Sequence, residues 1–135
     1  MLTVETVLNA TPEQVWRYWT EPEHVTKWCQ ASDDWHAPSA ANDLRMGGKF
    51  KTVMAARDGS AAFDFEGTYT VVEHPKKIEY AMSDGRKVVI AFLAEGNATK
   101  VIESFDPEDE NSLDMQKDGW QSILNNFKKY VESQK

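Results

Sequence analysis

Residues 49–105 read KFKTVMAARDGSAAFDFEGTYTVVEHPKKIEYAMSDGRKVVIAFLAEGNATKVIESF, and the two-residue rhythm of this stretch decides the fold. Phe50, Thr52 and Met54 share one side of a first strand, and Phe63, Phe65, Gly67, Tyr69 and Val71 alternate along a second. Ile78, Tyr80 and Met82 follow, then Val88, Ile90 and Phe92, then Val101, Glu103 and Phe105. Apolar residues at a period of two mark strands with one buried face, because successive side chains point to opposite sides of a sheet. Asp58-Gly59, Asp84-Gly85 and Glu95-Gly96-Asn97 are hairpin-turn signals, and His74-Pro75 ends the second strand. Strands joined by such short turns build an antiparallel meander.

Upstream, Leu2, Val4, Thr6 and Leu8 share one parity and predict a further strand, which Val7 interrupts slightly. Thr11-Pro12-Glu13-Gln14 then supplies a capping hydroxyl, a proline at the first helical position and a glutamine three residues after the cap. A short helix is expected from Pro12 to about Trp19, with Val15, Trp16 and Trp19 on its apolar face. Glu21-Pro22-Glu23 restarts the pattern, and Pro22, Val25 and Trp28 predict a second short helix ending near Trp28. The stretch from Gln30 to Asp43 reads as loop, with Trp35-His36-Ala37 as a short strand at most. Gly47-Gly48 is a turn into the next strand, without the Lys-Ser/Thr and the following helix of a phosphate cradle.

Downstream, Asp106-Pro107 closes the last strand, and Glu108, Asp109, Glu110 and Asp114 lead into a helix whose positive end favours them. Trp120, Ile123, Leu124, Phe127, Tyr130 and Val131 form one broad apolar stripe between about Leu113 and Ser133. A sheet with one buried face needs a cover, and this helix is the only predicted element long enough. The expected class is α+β: a curved antiparallel sheet wrapped around a long C-terminal helix, with two short helices after the first strand.

At 135 residues the chain falls in the range of one domain, and a single domain over 1–135 is expected. Its 22 acidic against 15 basic residues give a net charge of -7, which repels phosphate backbones and anionic lipid surfaces and argues against a nucleic-acid partner. No stretch approaches the roughly 18 consecutive apolar residues of a membrane span, so no membrane insertion is expected. The lone Cys29 favours a reducing compartment, and Met1-Leu2-Thr3-Val4-Glu5 lacks the basic and apolar regions of a signal peptide. A cytoplasmic location is expected.

Several phrases, in this order, resemble the activator-of-Hsp90-ATPase-like family of the START superfamily. They are Ala10-Thr11-Pro12 with Val15-Trp16, Glu21-Pro22-Glu23-His24 with Lys27-Trp28, and Asp43-Leu44-Arg45-Met46-Gly47-Gly48-Lys49-Phe50. Gly67-Thr68-Tyr69, Asp84-Gly85-Arg86, Phe105-Asp106-Pro107-Glu108 and Gly119-Trp120-Gln121-Ser122-Ile123-Leu124-Asn125-Asn126-Phe127 continue the series across nearly the whole chain. The resemblance implies a helix-grip fold, with the C-terminal helix held by the sheet and a hydrophobic pocket between them. It implies little about activity, since superfamily members bind lipids, sterols or polyketides and some act as cyclases. The co-chaperone role behind the family name belongs to a larger protein and is not carried over.

The candidate ligand-binding set is the large side chains expected to point into the grip: Trp28, Trp35, Phe50, Met54, Phe65, Tyr69, Tyr80, Phe92, Trp120 and Leu124. Ligand pockets are mostly apolar with a few orienting polar groups, although each of these residues is equally explained as plain core. Glu103 joins the set because its parity matches Val101 and Phe105, and a buried carboxyl needs a partner or a raised pKa. Tyr69 or Tyr80 are its candidate partners. The competing reading pairs it with an arginine or turns it to solvent through a bulge.

Cys29, His24 and His36 match no zinc-ligand spacing, so no metal is expected, and a thiol–imidazole pair depends on which way the two histidines face. No cofactor is expected, and no Gly-x-Ser-x-Gly elbow is present. The acidic run from Glu108 to Glu110 reads as a solvated loop or a docking surface for a basic partner.

The expected function is binding of a small hydrophobic or amphipathic molecule between the sheet and the last helix. A cyclase- or hydrolase-type enzyme using Glu103 as acid or base is the alternative, weakened by there being one candidate carboxylate. An Hsp90-type chaperone-associated module is a third reading. A homodimer through a sheet edge or the short helices stays open.

Overall fold

A computed structural model describes residues 1–30 and 32–134. In chain order the elements are β1 (Leu2–Leu8), α1 (Pro12–Thr20), α2 (Pro22–Trp28), β2 (Trp35–Asn42), β3 (Lys49–Ala56), β4 (Ala62–Glu73), β5 (Lys77–Met82), β6 (Lys87–Glu95), β7 (Ala98–Phe105) and α3 (Leu113–Ser133). The seven strands form one curved antiparallel sheet in the order β1-β7-β6-β5-β4-β3-β2. This is the helix-grip arrangement.

The helices start where local chemistry demands. Thr11 accepts the Gln14 N–H while the Gln14 side chain accepts the Thr11 N–H, and Pro12, which has no N–H to satisfy, opens α1. Ser112 accepts the Met115 N–H at the start of α3. The acidic loop before α3 is not free chain. Glu108 accepts the N–H groups of Glu110 and Asn111, and the Gln116 side chain bonds the Glu108 backbone and the Asn111 carbonyl.

Two stretches depart from the sequence reading. Strand β2 runs the full length from Trp35 to Asn42 and contains Pro38, where three strand residues were expected. An edge strand tolerates proline, and β2 pairs with β3 alone, with a register shift between His36 and Ser39 that absorbs the missing donor. Ala31, in the same expected loop, lies outside the described residues. In β4 a bulge falls between Tyr69 and Val71, so Val71 faces Glu79 and Val72 takes the place opposite Ile78. Val72, not Val71, packs against the core.

The register lines up two rows across the concave face. Val4, Glu103, Ile90, Ile78 and Val72 form one, and Leu2, Phe105, Val88, Tyr80 and Tyr69 the next. Helix α3 packs chiefly on β1, and α2 on β2; among the described residues no comparable helix contact reaches β3, β4 or β5. At the covered end the core is filled: Phe92 meets Trp16 and Trp19, and Phe127 meets Trp19 and Trp28, ring against ring. Such aromatic pairs contribute about 0.5–1.5 kcal/mol each beyond the area they bury.

Candidate functional site

Space remains over the strands that no helix covers. An inner cavity of about 80 Å³ lies between α2, the first half of α3 and strands β2 to β5, with Glu103 of β7 on its wall. At roughly 10–15 Å³ per water it has room for about five to eight water-sized groups. An outer groove of about 620 Å³ opens beside it. Phe65, Trp120 and Ile123 line both and form the partition. Trp120 is held there by Phe105, on which it stacks almost parallel at 4.1 Å.

The sequence-derived set divides among three places. Trp28, Phe50, Phe65, Tyr69, Tyr80, Glu103 and Trp120 line the inner cavity. Trp35 and Met54 line the outer groove, together with Phe65 and Trp120. Phe92 and Leu124 touch neither space and belong to the filled core at 2% and 0% exposure. Strand parity and helix periodicity give the face of an element, whereas reaching the cavity depends on position along that face.

Glu103 is the unusual group. It is 5% exposed, lies in regular register between Val4 and Ile90, and makes no side-chain hydrogen bond or ion pair among the described residues. No bulge or arginine removes it from the interior. Burial pushes its carboxyl up to about 8, because the charged form loses the hydration that water would give it. Its expected tyrosine partners are otherwise engaged or idle. The Tyr69 hydroxyl donates to Asn42 Oδ1 at 2.5 Å, and Asn42 Nδ2 donates to the Thr20 carbonyl at 2.6 Å, tying the sheet to the end of α1. The Tyr80 hydroxyl, in the same cavity, has no hydrogen bond among the described residues, and burial followed by the Glu103 charge raises its pKa.

Sequence reading missed Trp19, Cys29, Asn42, Thr52, Ile78 and Ile123 as cavity-lining residues. Thr52 and Ile78 carried a signal, since each shares parity with a chosen neighbour. Asn42 carried none, because it sits in a segment read as loop. The Cys29 thiol is pushed up to about 12, first by burial and then by the Glu103 charge, so it is held as the thiol.

His24 does not join Cys29. Its Nδ1 pairs with the Tyr130 hydroxyl at 2.7 Å and its Nε2 lies 3.5 Å from Glu21 Oε1. Glu21, Glu23 and His24 are the one grouping among the described residues with potential metal-ligand atoms within 4.8 Å of one another, and these contacts already engage the imidazole. His36 stands apart on the edge strand β2. Among the described residues no helix is long and apolar enough to cross a membrane.

Comparison with known proteins places this architecture. The family model "Activator of Hsp90 ATPase homolog 1-like protein" matches residues 9–132. The AHSA1-like protein from Aeromonas hydrophila is 42% identical, with a TM-score of 0.89 over 98% of this chain and 93% of that one. A protein from Cytophaga hutchinsonii is 54% identical, with a TM-score of 0.84 over 98% and 92%. Protein NE0264 from Nitrosomonas europaea, at 21% identity and a TM-score of 0.80 over 98% and 94%, shares the fold. No curated protein matches the chain. The family match over most of the chain and the high identity to the first two structures agree, and the chain belongs to the activator of Hsp90 ATPase homolog 1-like family.

Proposed function

We propose that this protein binds a small amphipathic molecule in the inner cavity, its apolar part against the aromatic walls and its polar end at Glu103. The observation that carries the reading is a carboxyl 5% exposed, facing a cavity, with no hydrogen-bond partner among the described residues. Desolvating a carboxyl costs several kcal/mol unless a partner restores its interactions; the Glu103 oxygens keep access to the cavity, and a ligand bound there supplies that partner. The outer groove offers the route in, past Phe65, Trp120 and Ile123.

A thermal-shift screen of small amphipathic molecules tests this, with methyl NMR of Ile78 and Ile123 to locate binding. A ligand at a hundred times its Kd stabilises the fold by about 2.7 kcal/mol. A screen in which every stabilising compound leaves both methyls unmoved overturns the reading.

Acid–base catalysis is the second reading, favoured by the placing of a buried carboxyl on the cavity wall, where burial pushes it up to about 8 and suits it to act as a general acid. It lacks an activated nucleophile beside it, since Cys29 stays protonated. Turnover of a bound compound that Glu103→Gln slows by orders of magnitude would favour this reading over simple binding.

A further inference from the structure

The polar inventory of the cavity narrows the ligand class. Among the described residues Glu103 is the one acidic or basic side chain in its lining. The guanidinium of Arg86, which lines the neighbouring groove, is held by Asp84 at 2.7 Å. Both polar atoms of the Asn42 side chain are committed, to Tyr69 and to Thr20. Among the described residues the Tyr80 and Thr52 hydroxyls make no hydrogen bond and remain to complete the polar end of the cavity. Five aromatic side chains, Trp19, Trp28, Trp120, Phe50 and Phe65, share the remaining wall with smaller, mostly aliphatic residues. Aromatic faces attract cations, and most strongly where water is excluded.

We propose that the inner cavity is a binding site for a small alkylammonium group, with Glu103 as its counterion and the surrounding rings as its walls. The proposal rests on the cavity reading above and adds the ligand's charge. A carboxylate ligand would bring its own negative charge into a cavity whose described lining offers no cation to meet it. A neutral alcohol would answer one hydrogen bond and leave the carboxyl uncharged. An ammonium supplies both the charge and several donors. The net charge of -7 also draws cations toward the protein.

The groups facing Glu103 fix the pH dependence. Cys29 comes from the end of α2, Tyr80 from β5 and Tyr69 from β4, all with raised pKa values, and Arg86 from the β5–β6 turn acts on Tyr80. Strands β1 and β6 present Val4 and Ile90, and α3 presents Trp120 and Ile123. Pairing with an ammonium requires the carboxylate, so binding releases a proton wherever free Glu103 holds one. Affinity then rises about 50-fold between pH 6 and pH 8 and levels off above that, following the ionised fraction of a carboxyl titrating near 8.

The test titrates the whole protein with n-butylammonium, n-butanol and butyrate, following the Ile78 and Ile123 methyls by NMR and proton release by calorimetry in buffers of different ionisation enthalpy. The expected result at pH 8 is n-butylammonium at least tenfold tighter than n-butanol, with proton release at pH 7. Glu103→Gln should abolish that preference, while n-butanol still shifts the Ile78 and Ile123 methyls, which confirms an intact cavity. Equal affinity for amine and alcohol, or tighter binding of butyrate, overturns the amine assignment and leaves the cavity reading standing. Methyls unmoved by all three compounds overturn both.

Discussion

Replacing Glu103 by glutamine should stabilise the protein at high pH and leave it nearly unchanged at low pH. The carboxyl titrates near 4.5 when exposed and is pushed up to about 8 by burial. Between those values the folded chain holds a proton that the unfolded chain lacks, so stability falls as pH rises. Above pH 8 both states are ionised and the loss is complete; below about pH 4.5 both are protonated and it vanishes. A shift of between three and four pH units, at about 1.4 kcal/mol each, makes the full penalty about 5 kcal/mol. That is comparable to the whole stability of a small domain, typically about 5–15 kcal/mol.

Glutamine keeps the shape and removes the charge. Urea denaturation of wild type and Glu103→Gln at pH 4.5, 6, 7.5 and 9 isolates this one group, because every other titration cancels in the difference. The variant should match wild type at pH 4.5 and exceed it by several kcal/mol at pH 9, with most of the gain appearing before pH 8. A difference that does not change with pH would refute the reasoning, since it would mean that the carboxylate is hydrated or paired in the folded state.

Other perturbations probe the supports of the site. Tyr69→Phe removes the donor to Asn42 and leaves a half-buried amide oxygen unpaired, at a cost of about 1–3 kcal/mol by chemical denaturation. Trp120→Ala removes the ring stacked on Phe105 and part of the partition between cavity and groove, lowering stability by about 2–4 kcal/mol and speeding ligand dissociation in stopped-flow measurements. Gly67→Ala should destabilise and displace the Phe50 ring, because an added Cβ would lie 2.9 Å from both Phe50 Cε1 and the Ala81 carbonyl oxygen; the Phe50 ring resonances report the shift. Cys29, held as a buried thiol with its pKa near 12, should react with a thiol reagent at pH 8 far more slowly than an exposed cysteine.

Local chemistry carried most of the fold. The Thr11–Gln14 capping box, the proline at the start of each short helix and the Leu113–Ser133 helix follow from residues that satisfy nearby backbone groups or repeat at helical period. The burial of Glu103 was also legible, because β7 pairs on both sides without a bulge and parity therefore holds along its length. Parity failed in β4, where the bulge before Val71 leaves no mark in sequence, and in β2, where Pro38 disguised an edge strand as a loop. The cavity was legible only as a face. Phe92 and Tyr80 share the same alternation on neighbouring strands, yet Phe92 lies beneath Trp16 and Trp19 while Tyr80 opens into empty space. What separates them is where α1, α2 and α3 come to rest on the sheet, and that is a property of long-range packing.

The most direct measurement is a pH titration of the Glu103 side-chain carboxyl by carbon-13 NMR in the ligand-free protein. A midpoint near 8 is expected for a buried carboxyl whose partner must come from outside the chain. A midpoint near the ordinary 4.5 would contradict the account, since water or the protein itself would then already meet the needs of the charge.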